Sequence, residues 1–159
     1  MRSALSLAWA APQRNDTGPP GADGTRRSGN GQPTASTILV IEDEILIRLA
    51  VCDYLRQCGY RVIEGSTGEE AQRVFLAGEP VELLFSDIEL GQGMNGFELA
   101  AWVREHHPAV RILLTSGVAQ MTEATARLCD GPFLHKPYAH DVLDDHIKRL
   151  LGLLGRTTG

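Results

Sequence analysis

The chain has 159 residues, 43% of them hydrophobic and 22% charged, with a formal net charge of −5. That length suits one packed domain and is short for two. The acidic balance argues against direct nucleic-acid binding, which needs a basic surface to track phosphates, and no apolar run reaches the roughly 18 residues of a membrane helix. Three cysteines (Cys52, Cys58, Cys129), without a C-x-x-C pair, suggest neither a disulfide framework nor a zinc site. His106, His107, His135, His140 and His146 lack metal-ligand spacing and read as surface or packing residues.

The opening MRSALSLAWAA faintly mimics a secretion signal, but its apolar patch is short and broken by Ser6. Residues 12–36 are dominated by Gly, Pro, Ser, Asn and Arg and cannot bury enough apolar surface to offset their ordering entropy. Residues 1–36 are therefore expected to form a disordered tail, before a domain over 37–154 and a short tail over 155–159.

From Thr37 a regular alternation begins. Ile38–Ile41 is a continuous apolar run, as in a strand buried on both faces. Ile45, Leu49, Cys52 and Leu55 recur at helical spacing, and Gly59 stops that helix. Tyr60–Glu64 reads as a second strand. Ser66-Thr67-Gly68-Glu69 reads as a capping box opening a helix through Phe75. Val81–Ser86 is a third strand leading into Asp87, and a helix over Gly96–His106 follows. Val110–Thr115 is a fourth strand, Gln120–Leu128 a short helix, and Phe133–His135 a fifth strand ending at Lys136-Pro137. The last helix runs from His140 to about Leu154, with Leu143, Ile147, Leu150, Leu151 and Leu154 on one stripe. Five βα units in succession predict a doubly wound parallel α/β sheet with helices on both faces.

In such a fold ligands bind at the carboxyl ends of the strands. Those ends carry Glu42-Asp43-Glu44, Asp87, Thr115-Ser116 and Lys136. Converging carboxylates repel one another unless a cation lies between them, and an all-oxygen donor set selects a hard divalent ion such as Mg²⁺. A metal, a hydroxyl and an ammonium around one carboxylate are what phosphoryl transfer to that carboxylate requires. Taken singly, Asp43 reads as a helix N-cap, Thr115 as an ordinary strand-end residue and Lys136 as a solvated charge. Asp87, at the end of a central strand, is hardest to explain so, and the four strand ends together favour the functional reading.

With these residues assembled, Thr37 to about Leu154 resembles the receiver domain of two-component response regulators. The motifs are ILVIEDE, LLFSD, ILLTSG and FLHKPY, and the resemblance extends to the flavodoxin-like strand order 2-1-3-4-5. It implies that Asp87 accepts a phosphoryl group from the phosphohistidine of a sensor histidine kinase or histidine phosphotransfer protein. It also implies that Asp43 ligates Mg²⁺ directly, with Glu42 as its outer partner and Glu89 contributing its backbone carbonyl. Thr115 would be the switch hydroxyl, Lys136 would pair with a phosphoryl oxygen, and Phe133 would stand in the place of the rotating switch aromatic.

Coupling Thr115 to Phe133 would remodel the face formed by strands four and five and the last two helices. The expected setting is cytoplasmic, as a phosphohistidine donor requires. With 23 residues after Lys136, the expectation is a stand-alone receiver that signals through a partner protein. Dimerisation through the last two helices is left open.

Two features depart from the family pattern. Leu90-Gly91 replaces the usual Met-Pro, and the loop to Gly96 is one residue longer, so this glycine-rich loop is expected to be more flexible. Glu89 puts an acid at the mouth of the site, where it is expected to tune the lifetime of the phosphorylated state by affecting attacking water. Two rival readings stand beside this one. A haloacid-dehalogenase-like phosphohydrolase would carry its D-x-D pair on the first strand, where this chain has E-D-E. A degenerate receiver would act as an interaction module alone, against which the intact Asp87, Thr115 and Lys136 argue.

Overall fold

The computed structural model describes residues 35–118, 122–131 and 133–153. Its elements in chain order are β1 (Thr37–Ile41), α1 (Ile45–Gln57), β2 (Arg61–Gly65), α2 (Gly68–Leu76) and β3 (Leu83–Asp87). There follow α3 (Gly96–His106), β4 (Arg111–Ser116), α4 (Glu123–Ala126), β5 (Leu134–His135) and α5 (His140–Leu150). The five strands pair in parallel in the order β2-β1-β3-β4-β5.

Alternation along each strand divides the core in two, because successive side chains leave opposite faces of a sheet. Leu39, Ile41, Leu84, Ile112 and Leu114 pack on one side with Ala71 and Phe75 of α2 and Leu99, Ala100 and Val103 of α3. Ile38, Val40, Leu83, Phe85 and Leu113 pack on the other with Val51, Cys52 and Leu55 of α1 and Leu143 and Ile147 of α5. The continuous apolar runs are thus explained: a strand covered by helices on both sides has no solvent face to fill with polar residues. Burial pushes the Cys52 thiol up to about 11, in keeping with a reduced core residue.

Several expectations shift. In α1 the buried residues are Val51, Cys52 and Leu55, while Ile45 and Leu49 are exposed by 59% and 45%. The first turns of this helix rise from the carboxyl edge of the sheet, and its buried stripe begins further along. The N-cap of α2 is Thr67, whose hydroxyl accepts from the Glu70 N–H, so the capping register lies one residue beyond Ser66. A full capping box instead opens α3, where Asn95 and Glu98 satisfy each other's backbone N–H groups. Helix α4 spans four residues, and the expected start at Gln120 lies outside the described residues. Helix α5 ends at Leu150, short of the expected end near Leu154, which itself lies outside the described residues, as do residues 1–34 of the expected tail. Ser36, assigned to that tail, joins the sheet margin: its carbonyl accepts from Arg61 N–H and its hydroxyl donates to Glu82.

Gly96 sets the spacing between β3 and α3. A Cβ there would lie 2.2 Å from the Asp87 carbonyl oxygen and 2.7 Å from Ile88 Cα, both backbone atoms that cannot swing aside. Gly96→Ala is expected to lower stability by about 3 kcal/mol through overpacking, measured by chemical denaturation; a loss below about 0.5 kcal/mol would contradict this close approach.

Candidate functional site

The strand order decides which side chains meet. Because β1 and β3 are neighbours, Glu42 and Asp43 emerge beside Asp87 at the carboxyl edge of the sheet. Because β3 pairs with β4, Asp87 stands directly opposite Thr115. Strand β5 lies beyond β4, and Lys136 follows it at once.

Glu42 and Asp87 are only 2% and 4% exposed, a costly placement for two carboxylates. Lys136 resolves it. Its Nζ lies 2.6 Å from Asp87 Oδ2 and 2.8 Å from Glu42 Oε2. The second oxygen of each acid takes a backbone N–H: Glu89 N–H donates to Asp87 Oδ1 at 3.1 Å, and Glu44 N–H to Glu42 Oε1 at 3.2 Å. Burial pushes the Glu42 carboxyl above its usual range, reinforced by the Asp87 charge and opposed by the Lys136 hydrogen bond. Burial alone would depress the Lys136 ammonium, but the hydrogen bonds and charges of the two carboxylates outweigh it and hold its pKa above the ordinary value.

Asp43 is exposed at the mouth, and its Oδ2 accepts from the Gly91 N–H at 3.1 Å. It is not the cap of α1, whose N-cap is Glu44. Glu42, Asp43 and Asp87 each offer one oxygen, and these oxygens lie within 4.8 Å of one another. A set of hard oxygen donors that close fits a small divalent cation, with the partly open Asp43 side leaving room for the waters Mg²⁺ retains.

Thr115 is fully buried beside Asp87, but its hydroxyl points across the sheet and donates to the Leu134 carbonyl at 2.7 Å. Phe133 is half-buried against the core on the α2–α3 side, with its ring 5.0 Å from that of His135. The structure therefore brings Glu42, Asp43, Asp87 and Lys136 together, with Thr115 adjacent but turned away. The Lys136–Pro137 peptide is cis.

The loop after Asp87 carries several hydrogen bonds to carboxylates. Gly91 N–H is tied to Asp43, Met94 N–H donates to Glu69 Oε1 at 2.9 Å, and the Asn95–Glu98 box closes the far end. Leu90 is buried in the core. Gly93 has φ +94°, and a Cβ there would sit 2.6 Å from Glu69 Oε1, so glycine here serves geometry as well as freedom. The side chain of Glu89 has a role that spacing did not reveal. Its carboxylate accepts from the Ser116 hydroxyl and, at 3.1 Å, from the Gly117 N–H. These partners are 27 and 28 residues away in sequence, and no local motif signals the pairing.

Comparisons with known proteins agree with this fold. The family described as "Response regulator receiver domain" matches residues 38–148. The sensor kinase CckA of Brucella abortus is 31% identical over 74% of this chain and 13% of its own length. The response regulator protein FleR of Pseudomonas aeruginosa is 30% identical over 76% of this chain and 26% of its own length. The chain thus spans a small part of these curated relatives. Among solved structures, a response regulator receiver protein from Sinorhizobium medicae is similar at a TM-score of 0.69 and 29% identity, covering 74% of this chain and 95% of that one. The response regulator protein TrrA from Thermotoga maritima, solved with Mg²⁺ and BeF, gives a TM-score of 0.66 and 28% identity over 72% of this chain and 98% of that one.

The ammonium among these acids makes a definite stability prediction. Lys136→Met leaves two buried carboxylates without their shared partner and is expected to cost about 3–5 kcal/mol near neutral pH, read from urea unfolding. Because the folded-state pKa of Lys136 exceeds its reference value of 10.5, the wild-type contribution is fully present below that value while its two carboxylate partners remain ionised, and it fades as pH rises through the folded value. A neutral-pH loss below about 1 kcal/mol would refute the role assigned to this ammonium.

Proposed function

The chain belongs to the response regulator receiver domain family, and from that premise we propose that Asp87 accepts a phosphoryl group from a phosphohistidine. The observation that carries this reading is Asp87 itself: a nearly buried carboxylate bonded at 2.6 Å to Lys136 and grouped with two further acids. An Asp87 oxygen forms the new bond to phosphorus as the bond from phosphorus to the donor nitrogen breaks; the donor imidazole keeps the electron pair. Lys136 then bonds to a phosphoryl oxygen, so the ammonium that balances Glu42 and Asp87 also balances the incoming charge. The Glu89 N–H keeps the Asp87 carboxylate aimed along one direction throughout.

Asp43 and Asp87, with Glu42 behind them and the Glu89 carbonyl as a further ligand, would hold Mg²⁺, which would supply charge neutralisation at the transferring group. Thr115 turns from Leu134 toward the phosphoryl oxygens, and Phe133 follows as the switch aromatic. The exchange couples a local charge to the β4–β5–α5 face.

The donor must bring its histidine to the mouth of this site, so its surface packs on the surrounding rim. Ile45, Leu46 and Leu49 of α1, exposed by 59%, 77% and 45%, form an apolar patch there, beside a groove of about 490 Å³ reaching Pro137 and Tyr138. Such a patch suits a helix of a sensor kinase or histidine phosphotransfer protein. No described helix is long and apolar enough to cross a membrane. A cytoplasmic regulator whose phosphorylated form is read by a downstream protein completes the proposal.

Incubation with acetyl phosphate and Mg²⁺ is expected to give a retarded band on a phosphate-affinity gel, absent with Asp87→Asn and absent in excess chelator. A band that persists in Asp87→Asn would move the acceptor elsewhere. No band with any donor, acetyl phosphate or phosphohistidine, would leave a degenerate interaction module as the better reading.

A further inference from the structure

Glu89 links two parts of the site that the phosphoacceptor reading leaves separate. Its backbone N–H donates to Asp87 Oδ1, while its carboxylate crosses to the exit of β4. There one oxygen accepts from the Ser116 hydroxyl and the other from the Gly117 N–H. The Ser116 hydroxyl in turn accepts from the Val118 N–H at 3.0 Å. One carboxylate from the loop after β3 therefore organises three consecutive residues after Thr115. Thr115, immediately before them, has its hydroxyl on the Leu134 carbonyl and away from Asp87.

We propose that Glu89 is a positioning residue whose carboxylate latches residues 116–118 in the arrangement that keeps Thr115 turned toward Leu134, and that phosphorylation of Asp87 weakens this latch. The inference rests on the phosphoacceptor reading above. Hydrogen bonds to an ionised acceptor are stronger than neutral ones, so a carboxylate can hold this segment where a small polar residue would hold it less firmly. A swing of Thr115 that shifts its backbone toward Asp87 would displace Ser116, its direct neighbour in the chain, and the latch opposes that displacement. A phosphoryl group adds negative charge two residues from Glu89, on the carboxylate to which the Glu89 N–H is bonded. Like charges brought this close repel, which favours withdrawal of the Glu89 carboxylate from β4. Glu89 thereby acts through the backbone after β4.

The test uses the full chain. In the unphosphorylated protein, Glu89→Ala should speed hydrogen exchange of the Gly117 amide on the order of tenfold, as expected for loss of a charge-assisted bond. Glu89→Gln, which keeps an acceptor but no charge, should restore part of the protection. With acetyl phosphate and Mg²⁺, Glu89→Ala and Ser116→Ala should each accelerate phosphorylation of Asp87 severalfold. The double variant should be no faster than the faster single one, because both substitutions open the same contact. Independent, multiplicative effects would overturn the latch, as would unchanged Gly117 exchange in Glu89→Ala, in a wild-type chain that is phosphorylated normally. A wild-type chain that takes up no phosphoryl group would overturn the phosphoacceptor reading, and the release step with it, even where the exchange result held.

Discussion

One ammonium group governs the carboxyl edge of this sheet. Glu42 and Asp87 are carried there by adjacent strands, and both are almost withdrawn from water. Two carboxylates so placed would not stay ionised side by side without a shared positive partner. Lys136 provides it from beyond the edge strand β5, at 2.6 and 2.8 Å, and a backbone N–H completes each acid. The same ammonium is the group to which the proposed chemistry assigns the phosphoryl oxygens. Stability and reactivity therefore draw on one contact, and a cation bound beside Asp43 would relieve the charge that remains.

Around this centre, carboxylates act repeatedly as clips on backbone N–H groups. Asp43 holds Gly91, Glu69 holds Met94, Glu98 holds Asn95, and Glu89 holds Gly117. Each clip spends a charge at the rim, where solvent still reaches, on a donor that the loop could not satisfy within itself. A loop rich in glycine follows a defined path for this reason. Gly93 fits under Glu69 because it lacks a Cβ, and Gly96 approaches the Asp87 carbonyl for the same reason. Gly91 supplies the N–H that Asp43 uses, a donor that proline would lack.

Much of this was legible in the residues alone. The run ILVI and the run LLF announced strands covered on both sides, and both lie in the fully buried centre of the sheet. The strand order was implied by the family resemblance, whereas the meeting of Glu42, Asp43, Asp87 and Lys136 was expected from their places at strand ends. Less legible were features set by facing partners. Ile45 and Leu49 match a helical stripe yet remain exposed, because periodicity marks an apolar face without saying what covers it. The α2 cap moved from Ser66 to Thr67 because two hydroxyl residues in succession offer the same donor search a choice that only the helix axis settles.

Local sequence thus determined the alternation of strands and helices, and with it which residues stand at strand ends. Those properties depend on neighbours within a few positions. Tertiary structure alone decided the direction of each side chain at that edge. Thr115 turned toward Leu134, Glu89 crossed to Ser116 and Gly117, and Asp43 bent back to Gly91. Each of those pairings joins residues far apart in the chain, and each is selected by which donors and acceptors the folded backbone leaves unsatisfied within reach.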